Sequence, residues 1–83
     1  VAKEVGRVKE LTEYIVKALV DKPEMVKVTE VASERSIVLE VNVAEEDVGR
    51  VIGKQGRTIS AIRVVLNAAA AKLKKRVVLE LID

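Results

Sequence analysis

Val8, Leu11, Ile15, Ala18 and Leu19 recur at helical spacing among charged residues, which predicts an amphipathic helix from about Val5 to Val20. Pro23 follows at once and ends it. From Met25 to Val31 the period falls to two, with Val26, Val28 and Glu30 on one side and Lys27, Thr29 and Val31 on the other. Ser36 to Val43 alternates more cleanly, and Ile37, Leu39, Val41 and Val43 share a face. The polar run Ala32-Ser33-Glu34-Arg35 between them suits a hairpin, so these strands should pair antiparallel.

Glu45, Glu46 and Asp47 then open a short helical stretch ending near Ile52, where carboxylates complement the helix dipole. Beyond Gly53–Gly56, Ile59, Ile62, Leu66, Ala69 and Leu73 mark one face of a long helix expected from Arg57 to Lys74. Lys72, Lys74 and Lys75 fall at its negative end. Arg76 to Ile82 reads as a last strand, with Val77, Leu79 and Leu81 on one side. The order is α-β-β-α-α-β. A third strand reached across two helices should join the second in parallel. The expected fold is an α/β (α+β) two-layer sandwich with a three-stranded mixed sheet. Glu40, Asn42 and Glu80 keep one sheet face wet, so the helices belong on the other.

Composition narrows the chemistry. The 83 residues make one domain, and with no Phe or Trp and one Tyr the core must be aliphatic. Cys and His are absent, which excludes disulfides, the usual zinc sites and any imidazole mechanism. No apolar stretch approaches the roughly 20 residues that cross a bilayer, and no export signal is visible, so no membrane partner is expected. The net charge of +2 conceals a division. Residues 1–47 hold seven basic and eleven acidic side chains, a balance of −4, while residues 48–83 hold eight and two, a balance of +6. The second half therefore points to an anionic partner, although a solvated basic face explains charge alone equally well.

One segment decides between these readings: Val51-Ile52-Gly53-Lys54-Gln55-Gly56-Arg57-Thr58-Ile59. Its glycines permit a tight turn and close approach of another backbone. The turn meets the start of the long helix, where unpaired N–H groups at Arg57 and Thr58 should favour phosphate. Arg50, Lys54 and Arg57 add positive charge with no carboxylate expected nearby, and Ile52 and Ile59 add aliphatic bulk. A Walker loop is excluded because only Arg50, Val51 and Ile52 separate Gly49 from Gly53 and Gln55 follows Lys54. A dinucleotide fingerprint is excluded by Val51. Glu45, Glu46 and Asp47 form the only carboxylate cluster and a helix start explains them, so the chain is not read as an enzyme and calls for no metal or cofactor.

The nine-residue segment resembles the V-I-G-x-x-G-x-x-I signature of the KH domain, whose G-x-x-G loop clamps four nucleotides of backbone. The element order resembles the type II arrangement. Tyr14-Ile-Val-Lys-Ala-Leu-Val-Asp21, Ser36-Ile-Val-Leu-Glu40 and Asn67-Ala-Ala-Ala-Ala-Lys-Leu73 resemble the small stand-alone bacterial KH proteins called KhpA. The likeness spans residues 9–83 as a single KH domain and leaves residues 1–8 as an N-terminal extension, helical or disordered.

This resemblance implies a cytoplasmic, single-stranded RNA-binding protein, an RNA chaperone or post-transcriptional regulator, for which single-stranded DNA is a second candidate ligand. It implies that Gly53, Lys54, Gln55 and Gly56 hold the backbone, with Arg50, Arg57 and Thr58 beside them. Ile52 and parts of Val48, Ile59 and Ile62 would floor the groove, and Arg63 and Asn42 would reach base edges. Tyr14 is the only aromatic side chain, so bases cannot be stacked as in other RNA-binding folds. Weak single-domain binding then favours a homodimer or a complex with a larger KH-domain protein. The alternative is a KH fold kept for protein interaction, with nucleic acid incidental.

Overall fold

The computed structural model describes residues 2–82, with side chains from Gly6 onward. Val1 and Asp83, and the side chains of residues 2–5, lie outside that description, so the reading of an N-terminal extension is only partly covered. Helix α1 spans Ala2–Leu19. Strands β1 (Lys27–Ala32) and β2 (Ser36–Asn42) follow, then helices α2 (Val48–Ile52) and α3 (Arg57–Ala70), then strand β3 (Arg76–Ile82). The strands lie in the order β1-β2-β3, with β1 and β2 antiparallel and β2 and β3 parallel. This is the mixed sheet that the element order predicts.

Alternation sets which side of the sheet is dry. In β2, Ile37, Leu39 and Val41 are buried, while Ser36, Val38, Glu40 and Asn42 between them are half-buried. The register places Leu39 beside Leu79 and Ile37 beside Val77, so the inward residues form continuous rows beneath the helices. Val8, Val16, Ile59, Ile62, Leu66 and Ala70 come down from α1 and α3 to meet them. The one aromatic ring takes no part: Tyr14 is 76% exposed.

Three details depart from the periodicity. Ala18 is exposed, and the buried line of α1 runs instead through Val8, Thr12 and Val16. Thr12 is tolerated there because its hydroxyl donates to the Val8 carbonyl at 2.9 Å, one turn back, and leaves no polar group unpaired. Met25 is not in a strand, since Pro23–Met25 forms a 3₁₀ turn and β1 begins at Lys27. Helix α3 ends at Ala70, not Lys74, and tightens into a 3₁₀ turn at Ala71–Leu73. Lys74, at φ 57°, then turns the chain into β3.

The edge strand β3 is held to α3 by a side chain that imitates a strand. Asn67 Oδ1 accepts from the Val77 N–H at 3.0 Å, and Asn67 Nδ2 lies 3.3 Å from the Val77 carbonyl. An edge that would otherwise offer its backbone to another chain is thereby engaged.

Leu66 is fully buried between α3 and the sheet, whereas Val64 on the same helix is 70% exposed. Leu66→Ala should lower the unfolding free energy by about 3 kcal/mol, and Val64→Ala by less than about 0.5 kcal/mol. Urea denaturation followed by circular dichroism measures both; equal effects would contradict this account of the core.

Candidate nucleic-acid interface

Helix α2 stops because Gly53 leaves the helical region at φ 76°, ψ 171°. Its N–H still donates to the Gly49 carbonyl at 2.9 Å. Lys54–Gly56 closes as a 3₁₀ turn, with the Gly56 N–H on the Gly53 carbonyl at 3.1 Å. Gln55 and Gly56 both have positive φ, 57° and 73°. The two glycines meet different demands. A Cβ at Gly53 would lie 2.1 Å from Thr58 Oγ1 and 2.9 Å from the Thr58 backbone nitrogen, whereas one at Gly56 would meet nothing within 4 Å. Gly53 is required by space and by φ; Gly56 by φ alone.

This hinge leaves Lys54, Gln55 and Arg57 exposed. Arg57 Nη2 donates to Gln55 Oε1 at 3.2 Å, which holds the guanidinium over the turn. One amide donor differs from the expected pair. The Arg57 N–H donates to the Lys54 carbonyl and is not free. The Lys54 and Gln55 amides make no backbone hydrogen bond among the described residues, so the turn itself presents the donors. Thr58 is half-buried, its side chain packed against Gly53.

Beside the turn lies a groove of ≈ 360 Å³ lined by Val48, Ile52, Ile59, Arg63 and Leu81. Ile52 is 38% exposed and forms the aliphatic wall next to the glycines. Arg63 Nη2 donates to the Leu79 carbonyl on the outer edge of β3 at 3.2 Å, which fixes the guanidinium at the groove margin. Ile62 is no part of this floor: it is buried in the core. Leu81, on the side of β3 that alternation assigns to the core, is only half-buried near the strand's end and lines the groove as well. Asn42 pairs in register with Lys27 and Ile82 on the helix-free side of the sheet, and is not brought to the groove. Alternation decides this, since Val41 beside it points inward.

Arg50 also departs from expectation. Carboxylates are near: Arg50 Nη2 lies 3.0 Å from Asp21 Oδ2, and Nε lies 3.7 Å from Asp47 Oδ1. Asp47 is buried, and its two oxygens accept the N–H groups of Asp21 and Lys22 at 3.1 and 3.0 Å. This carboxylate ties the end of α1 to the start of α2. Lys22 also pairs with Glu46, holding the Glu46 carboxyl below its ordinary range and raising the Lys22 ammonium. Arg50 therefore positions α2, and the uncommitted charge at the turn belongs to Lys54 and Arg57.

Among the described residues no group of carboxylates is placed to hold a metal ion, and no helix is long and apolar enough to cross a membrane. The family model described as "KhpA/KhpB, KH domain" matches residues 9–81. A protein named RNA-binding protein KhpA from Clostridium perfringens is 61% identical over 74 residues, covering 89% of this chain and 99% of that protein. Proteins of the same name from Borreliella burgdorferi and Aquifex aeolicus are 49% and 44% identical, covering 98% and 90% of this chain and 99% and 95% of their own lengths. No solved structure gives a significant match.

The different constraints on the glycines can be measured. Gly56→Ala should cost about 1 kcal/mol of stability, the penalty of a left-handed L-residue. Gly53→Ala should cost at least about 2 kcal/mol, because the new methyl also collides with Thr58. Urea midpoints that place the two variants equal, or in reverse order, would refute this geometry.

Proposed function

Because this chain belongs to the KhpA/KhpB family of KH-domain proteins, we propose that it binds single-stranded RNA across the Gly53–Gly56 turn and along the adjoining groove. The observation that carries this reading is the meeting of three features at one corner: two amides without backbone partners, an exposed lysine, and an aliphatic groove that begins beside them. A phosphate needs donors and positive charge, and a base without an aromatic platform needs an apolar wall.

In this reading Gly53 and Gly56 let the RNA backbone approach, the Lys54 and Gln55 amides donate to phosphate oxygens, and Lys54 and Arg57 neutralise charge. Bases lie on Ile52, Val48, Ile59 and Leu81. Arg63, already anchored to the Leu79 carbonyl, presents its remaining N–H groups to a base edge. Single-stranded DNA is a second candidate ligand for the same groove. The relatives named RNA-binding proteins support the RNA assignment. A single aliphatic groove holds RNA weakly, and pairing with a second copy or with a larger KH-domain protein would raise affinity through effective concentration. A role as RNA chaperone or post-transcriptional regulator in the cytoplasm fits such a module.

Replacing Lys54 and Gln55 together by Asp should abolish RNA binding in a fluorescence anisotropy titration, while the circular dichroism spectrum stays that of the wild type. Wild-type affinity should fall with salt by about 0.7 log units per log unit of salt for each phosphate neutralised. A folded double variant that still binds RNA normally would remove the turn from the mechanism.

A further inference from the structure

The end of the molecule opposite the glycine turn carries a second cationic surface that the groove does not use. Helix α3 runs roughly 20 Å from Arg57 to Ala70, and beyond it the 3₁₀ turn and β3 bring Lys72, Lys74, Lys75 and Arg76 to that end. Arg35 arrives from the β1–β2 turn: its carbonyl accepts the Arg76 N–H at 2.9 Å, so two arginines are backbone neighbours. Arg7 arrives from α1 and lines, with Lys72, a shallow groove of ≈ 120 Å³ floored by Val8, Leu11 and Ala69. Lys75 Nζ donates to the Ser33 carbonyl at 2.6 Å. None of these side chains is in an ion pair among the described residues, and Glu34 is the one carboxylate in residues 33–36 and 70–79.

A helix dipole accounts for Lys72 and Lys74 at the end of α3. It does not account for Arg35, Arg76 or Arg7, which three other segments bring to the same end. Clustered like charges repel one another, and of these cations only Lys75, through the Ser33 carbonyl, makes a side-chain bond to the described residues of the fold. Arg63 lies between the two ends, at the margin between α3 and β3. From Leu79, which it contacts, back to Arg76 is three strand residues, roughly 10 Å. Arg76 alternates with the buried Val77 and stands on the helix-free side of this edge strand, so a chain that leaves the groove past Arg63 would reach it around β3.

We infer that this far surface is a second RNA-contact site, which takes the phosphates of the same single strand beyond the four or so nucleotides held at the groove. This rests on the proposed RNA binding and extends it: the groove would fix one short stretch, and the far end would add a sequence-independent, salt-sensitive grip on flanking RNA.

The test uses a six-nucleotide and a 24-nucleotide single-stranded RNA sharing one core sequence, with the wild type, the Lys54→Asp/Gln55→Asp variant, and an Arg35→Gln/Lys74→Asn/Arg76→Gln variant. Asn is chosen at position 74 because it tolerates the left-handed backbone there. The far-end variant should bind the hexamer as the wild type does, but bind the 24-mer on the order of tenfold more weakly, its salt slope reduced by up to about 2. An unchanged 24-mer affinity, or an equal loss on both RNAs, would overturn the inference; the latter would mean that these cations act only through the general field. Should the wild type bind neither RNA, or the turn variant bind both normally, the groove reading fails instead, and this inference with it.

Discussion

The contact that organises this protein is the packing of Thr58 against the bare α-carbon of Gly53. It permits one turn to end α2, reverse the chain and start α3 without an intervening loop. The space that a methyl group would occupy is filled by the Thr58 side chain, so only glycine fits where the two helices meet. In the turn so formed the Lys54 and Gln55 amides have no backbone partner among the described residues. Ile52 before the turn and Ile59 after it both line the groove. Donors and apolar wall are thus consequences of one close approach.

Electrostatics divides labour between cations that a sequence shows as equivalent. Arg50 is consumed internally by Asp21 and the buried Asp47, which makes it part of the scaffold that seats α2. Lys54 and Arg57, a few residues on, face solvent with no carboxylate partner among the described residues. Arg63 is intermediate, with one N–H bound to the edge of β3 and the rest available. A ligand meets two or three free charges at the turn, not the whole positive excess of the second half. Together with the missing aromatic platform, this leaves the turn and its groove with few points of attachment.

Much of the fold was legible because its signals are local. Alternation in β2 and β3, the Pro23 stop and the hairpin between residues 32 and 35 each act over a few residues, and the connection rules then leave one economical sheet order. The errors cluster where a distant neighbour overrides local pattern. Thr12 reads as polar but is buried, because a hydroxyl can bond one turn back. The last turn of α3 reads as helix but tightens, because Lys74 must redirect the chain into an edge strand that Asn67 already grips.

The sequence by itself determined the glycine turn, the charges around it and the aliphatic character of whatever surface adjoined it, since these depend on residue types within nine consecutive positions. Only the tertiary structure decided which of those charges remain free, which apolar side chains line a groove and which support it, and that Asn42 faces away. Each of these depends on what a segment distant in sequence places opposite: Asp21 against Arg50, β3 beside Arg63, and a sheet whose two faces are separated by the direction of a single residue step.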